Sequence, residues 1–74
     1  MTPKTVSGKI LSLQVDEGSR SAPAFTDIEL ETSGGVLKLL AKNKTARRLA
    51  QERPGAVIRA AVDGKMIIDF SPVL

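Results

Sequence analysis

The chain contains no cysteine, histidine, tryptophan or tyrosine, and Phe25 and Phe70 are its only aromatic residues. Each absence removes a class of chemistry. Without cysteine there is neither a disulfide nor a thiolate metal site to hold a small fold together. Without histidine a zinc centre would have to be assembled from carboxylates alone, against the metal's preference for nitrogen and sulfur. No metal and no cofactor is therefore expected. No apolar run approaches the roughly 20 residues of a membrane span, and Met1-Thr2-Pro3-Lys4 has no apolar segment of the kind a secretory signal carries. Together these features predict a cytoplasmic protein with no membrane partner. A catalytic constellation is missing as well. Asp16-Glu17 is an adjacent carboxylate pair, but in a polar loop such a pair serves solvation rather than general acid–base chemistry. Gly34-Gly35 marks a turn, not a phosphate cradle, and no nucleophile stands beside a base. The expectation is a protein that is not an enzyme.

What the chain does have is aliphatic residues, turn formers and an uneven spread of charge. Its 74 residues make one domain, 1–74, and a chain of that size buries only roughly 60–65% of the surface it exposes when unfolded. A barrel, which closes its own sheet edges, uses a modest aliphatic core economically. Residues 1–35 carry three basic against five acidic side chains, a net −2, whereas residues 36–74 carry eight against three, a net +5. A basic half of this kind attracts polyanions, or simply solvates the surface.

From Phe25 to Phe70 the sequence spells hairpin, short basic helix, hairpin, with turn signals at Gly34-Gly35 and Asp63-Gly64. A long strand, Thr5 to Val15, precedes this unit. Its apolar phase shifts midway: Val6, Gly8 and Ile10 share one parity, Leu11, Leu13 and Val15 the other. Strict alternation forbids both sets on one face, so a bulge or sharp coil is expected near Ile10-Leu11, with Gly8 easing the bend. Residues 16–23 then form a polar loop. If Gly34-Gly35 is a two-residue turn, Leu30 faces Leu39 and Ile28 faces Ala41 on an apolar side. Glu31 then faces Lys38, and Asp27 faces Lys42, on the other side. Each such ion pair contributes roughly 0.2–1 kcal/mol. Asn43 or Thr45 is placed to cap the helix, in which Ala46, Leu49 and Ala50 form a narrow apolar stripe, and Pro54-Gly55 stops it after about two to three turns.

The last hairpin poses a problem. A turn at Asp63-Gly64 puts Val57, Ala61, Met66, Ile68 and Phe70 on one face with Arg59, and Ile58, Ala60, Val62 and Ile67 on the other. Neither face is polar, and a barrel has only one inside. Either the C-terminal tail Ser71-Pro72-Val73-Leu74 or the helix covers the second face, or Ile58, Ala60, Val62 and Ile67 form an interface with a protein partner or a second copy of the chain.

The long bent strand with Gly8, the hairpin, the helix between the third and fourth strands and the closing hairpin together resemble the oligonucleotide/oligosaccharide-binding (OB) fold. That implies a mainly β, five-stranded Greek-key barrel of OB type with one short helix between strands 3 and 4. Val6-Ser7-Gly8-Lys9-Ile10, Asp27-Ile28-Glu29-Leu30 and Thr45-Ala46-Arg47-Arg48-Leu49 look most like single-strand-binding and anticodon-type members. The resemblance implies binding of single-stranded DNA or RNA on the second and third strands and adjoining loops. It implicates Arg20, Phe25, Lys38, Leu40, Lys42 and Lys44. Lys42, Lys44, Arg47 and Arg48 at the helix start make the phosphate footprint, with Arg53 and Arg59 in support. A second resemblance, to molybdate-binding (molbindin-type) OB domains, rests on Asp27-Ile28-Glu29-Leu30, Ser33-Gly34-Gly35 and Gly55 before an Ala/Val-rich strand. It implies a small oxyanion binder, but Met1 to Thr5 and Ala61-Val62-Asp63-Gly64 lack that family's ligand-binding pattern. A protein-interaction module, a subunit or inhibitor of a larger machine using the last hairpin, is the remaining alternative.

Overall fold

The computed structural model describes residues 3–16, 18 and 24–73. Five strands and one helix follow in the order β1 (Lys4–Asp16), β2 (Phe25–Thr32), β3 (Gly35–Lys42), α1 (Asn43–Leu49), β4 (Val57–Asp63) and β5 (Met66–Pro72). The strands close into a barrel in the order β1-β2-β3-β5-β4, with β4 returning to β1. All pairings are antiparallel except the β3–β5 contact, which is parallel and consists of one pair, Leu40 with Met66. Ile10, Leu30, Leu49, Ile58 and Ile67 are fully buried at the centre.

The phase shift in β1 has the expected cause. Ile10 pairs with Leu30 and Ser12 with Glu29, which leaves Leu11 as the extra residue of a bulge. The bulge lets one strand serve two ladders: residues 4–9 pair with β4 and residues 9–16 with β2. Gly8 sits at the crossover. A Cβ there would run into the backbone carbonyl of Glu31 and lie 2.9 Å from Leu30 Cγ, so the close approach of β1 and β2 requires glycine at this point.

The first hairpin turns one residue earlier than its glycine pair suggests. Ser33-Gly34 is the turn and Thr32 faces Gly35, whose φ is +119°. Thr32 Oγ1 holds this turn by accepting from the Gly34 N–H (3.2 Å) and donating to the Gly35 carbonyl (2.8 Å). The partners are therefore displaced by two residues: Ile28 faces Leu39, Glu29 faces Lys38, Asp27 faces Leu40 and Phe25 faces Lys42. A two-residue shift preserves side-chain parity, so the apolar face survives while the Glu31–Lys38 and Asp27–Lys42 pairs do not.

A second bulge resolves the two apolar faces of the last hairpin. The turn is Gly64-Lys65, with Asp63 facing Met66 and Val62 facing Ile67. The register then slips, so that Ala61 faces Asp69 and Ala60 faces Phe70. Ile68 is the extra residue. Ile67 and Phe70, three apart, consequently both point inward with Ile58, Ala60 and Val62, while Ile68 stays outside, 46% exposed. This corrects the interface expectation, because Ile58, Ala60, Val62 and Ile67 are core side chains no more than 6% exposed. Nor does the tail fold back: Ser71 and Pro72 continue β5 along β4, and the Val73 N–H donates to the Val57 carbonyl at 2.8 Å.

α1, which follows β3 in the chain and precedes β4, closes one barrel end against β2, β3 and β5. Ala46 and Leu49 are its buried residues. Its expected caps do not form: Lys42 occupies the N-cap position without a side-chain bond. Asn43 instead adopts a positive φ of 55°, a conformation asparagine tolerates better than most residues, and donates its N–H to the Ala24 carbonyl at 2.9 Å. Thr45 Oγ1 donates to the carbonyl of the bulged Ile68 at 3.3 Å. The buried Thr26 hydroxyl on β2 donates to the Ala46 carbonyl at 2.8 Å.

Candidate functional site

On the outer surface, the C-terminal half of β1, β2 and β3 present alternate residues in cross-strand rows. Ser12, Glu29 and Lys38 form one row, Gln14, Asp27 and Leu40 the next, and Asp16, Phe25 and Lys42 the last. A groove of about 460 Å³ runs over the first two rows, and Lys65 from the β4–β5 turn joins its lining. Lys65 enters because its carbonyl accepts the Leu40 N–H at 2.8 Å, which fixes the turn against β3.

The third row carries the aromatic group of this surface. The Lys42 ammonium stands 5.7 Å from the centroid of the half-buried Phe25 ring, within the range of a cation–π contact. The corrected register frees Lys42 from Asp27 and hands it to Phe25. Immediately beyond, Lys44 and Arg47 are exposed on α1. Arg47 borders a second cavity of about 300 Å³, lined also by Val15, Asp16, Ala24, Thr26, Ala46 and Ala50. Phe25, Lys42, Lys44 and Arg47 thus gather where the sheet meets the helix, and Lys38 lies two rows away along the groove.

Arg48 belongs to the structure rather than to this free set. Its guanidinium donates to Asp69 Oδ1 at 2.8 Å and to the Phe70 carbonyl at 3.0 Å, and lies 4.9 Å from the Phe70 ring centroid. Asp69 Oδ1 also accepts the Phe70 N–H at 2.9 Å. The Arg48 hydrogen bond, helped by that backbone N–H, holds the Asp69 carboxyl below its ordinary pKa. Arg48 therefore fastens α1 to the β5 bulge. Arg59 sits on the outside of β4, beside Thr5 and Ser71 and away from the Phe25 row. Arg20 lies outside the described residues.

No family model, curated protein or solved structure matches this chain. Among the described residues there is no cluster of three or more possible metal ligands, and no helix is long and apolar enough to cross a membrane.

Electrostatically the groove is mixed. Lys38 and Lys65 stand against Asp27 and Glu29 on its lining, while on the helix side Lys42, Lys44 and Arg47 outnumber the one carboxylate of that row, Asp16. Lys65 is a groove residue that sequence reasoning missed. It becomes visible only once the β3–β5 closure brings the last turn beside Leu40.

Proposed function

We propose that this chain is an OB-type barrel that binds single-stranded nucleic acid across the outer face of β2 and β3. The strand order, the bent β1 and the helix between β3 and β4 support the fold assignment. In such barrels the second and third strands and the loops after strands 1 and 4 form the binding surface. The observation that carries the reading is the Phe25–Lys42 pair at the junction of groove and basic helix start. An aromatic ring offers a base a stacking surface, and the adjacent cations suit the phosphates on either side of it. Lys42, Lys44 and Arg47 take the backbone, largely without regard to sequence. Ser12, Gln14, Asp27 and Glu29 line the groove with hydrogen-bonding groups. Carboxylates accept from exocyclic amines, so Asp27 and Glu29 favour cytosine and adenine over thymine and uracil.

The test is a titration of labelled oligo(dC), oligo(dT) and their RNA equivalents at roughly 50 and 200 mM salt. Binding is expected to weaken with salt and to be tighter for oligo(dC) than for oligo(dT). The Lys42→Glu, Arg47→Glu double variant should abolish it. Phe25→Ala should cost about 1–3 kcal/mol, the usual value of one stacked base. Each phosphate contact removed should flatten the salt dependence by about 0.7 in logarithmic slope. Absence of binding at the lower salt, or binding indifferent to the double variant, overturns the reading.

A further inference from the structure

Among the described residues, closure leaves the first half of β3 unpaired on the side away from β2. β3 meets β5 through the single pair Leu40–Met66, and the Leu40 N–H points to β5, where it bonds Lys65. Backbone direction alternates along an antiparallel strand. The N–H and C=O groups of Val36 and Lys38 therefore turn the same way as those of Leu40, away from β2, with no strand beside them among the described residues. This stretch borders a cavity of about 490 Å³ at the barrel end remote from α1. Val6, Leu37, Leu39 and Val62 make its apolar floor, and Lys4, Lys38 and Lys65 stand around it with no acidic residue in the lining. Val36 and Leu37 are also among the large apolar side chains left exposed, at 52% and 37%.

We infer that this edge docks an extended, acidic segment of a partner protein, which adds as a short strand beside Val36–Lys38. Three independent features select that occupant. A row of free backbone donors and acceptors is satisfied by another peptide backbone. The apolar floor takes every second side chain of an extended segment. The lysines around it suit carboxylates on the intervening positions. Nucleic acid would use the lysines but neither the strand edge nor the apolar floor. A second copy of this chain is disfavoured by charge, since edge-to-edge pairing brings Lys4, Lys38 and Lys65 of one copy against those of the other. An edge lysine such as Lys38 thus discourages self-pairing while admitting an acidic guest. This inference is independent of the nucleic-acid reading, although Lys38 and Lys65 border both grooves.

The experiment is a titration of isotope-labelled protein with a blocked pentapeptide of alternating glutamate and valine, followed amide by amide by NMR. Saturable shifts are expected at Val36, Leu37, Lys38, Gly64 and Lys65, with none at Phe25, Lys42 or Arg47. A lysine–valine peptide of the same pattern should bind about tenfold more weakly or not at all. Two further peptides are N-methylated, one at its valines and one at its glutamates. Only one edge of an added strand faces β3, so one of the two should lose binding by about tenfold while the other retains it. Val36→Pro, which removes an edge donor, should abolish the shifts and leave oligonucleotide binding unchanged. No saturable shift, equal binding of the acidic and basic peptides, equal behaviour of the two N-methylated peptides, or peptide-induced dimerisation each overturns the inference. The peptide comparisons use the unmodified protein and hold whether or not the proline variant folds.

Discussion

The two ends of the barrel are finished in different ways. At one end α1 buries Ala46 and Leu49, Thr26 bonds the helix backbone from below, and Thr45 and Arg48 fasten it to β5. At the other end Leu37, Val6 and Val62 border an open cavity with lysines around it. The first end gathers its polar groups into partnered bonds inside the chain. The second leaves apolar surface and a strand edge to the outside. In a domain this small, where total stability is of the order of 5–10 kcal/mol, the contrast separates an end closed by internal bonds from an end whose apolar side chains and strand edge stay exposed.

The contrast is most severely tested by truncating one leucine at each end. Leu49→Ala should destabilise by about 2–5 kcal/mol, as for other fully buried leucines, and equilibrium denaturation would read it as a large fall in midpoint. Leu37→Ala, at a side chain already 37% exposed, should cost less than about 1.5 kcal/mol. Equal losses would remove the distinction. Gly8→Ala acts at the crossover between the ends. Its methyl meets the Glu31 carbonyl, and the overpacking should cost about 1–3 kcal/mol and weaken hydrogen-exchange protection in both ladders of β1. Arg48→Ala should cost about 1 kcal/mol through the lost cation–π contact and bond to β5, with faster exchange confined to α1 and β5. The smallest effect belongs to Asp69. Its folded pKa is depressed, chiefly by the Arg48 hydrogen bond, below the ordinary 3.8. Its contribution is therefore present above that value and lost as pH falls through the lower folded one. Asp69→Asn should flatten the acid limb of a stability profile and leave oligonucleotide binding untouched.

Much of this architecture could be read from the residues, and the misses have definite physical causes. The order of elements was legible because Gly, Asp and Pro punctuate the chain, and the Leu11 bulge because apolar parity changes across it. The first hairpin's register was not legible, because two adjacent glycines do not reveal which of them lies within the turn. Thr32, whose hydroxyl ties Gly34 and Gly35, decides the matter. Its apolar face was still found, since a shift of two residues leaves every side chain on its own side. The last hairpin misled because the Ile68 bulge breaks alternation exactly where alternation was the only guide; the unequal spacing of Ile67 and Phe70 is its trace in the sequence. Of the expected nucleic-acid residues, Phe25, Lys42, Lys44 and Arg47 come together. Arg48 is engaged on β5, a role that depends on the tertiary placement of Asp69 and Phe70 and leaves no local signal.

The shared strand has a consequence for how the molecule assembles. Residues 4–9 of β1 find their partners only in β4, with Lys4 opposite Val62 and Lys9 opposite Val57. The β2–β3 hairpin can form from neighbours, but closure must bring together segments separated by most of the chain. Loop-closure entropy is spent before those contacts return anything, which puts such topologies among the slower small folders, on the millisecond-to-second scale. Stopped-flow refolding should accordingly show the hairpin's local order preceding protection of Val6 and Ile58. Within the barrel, the earliest strand in the chain is half committed to the hairpin that comes last in it.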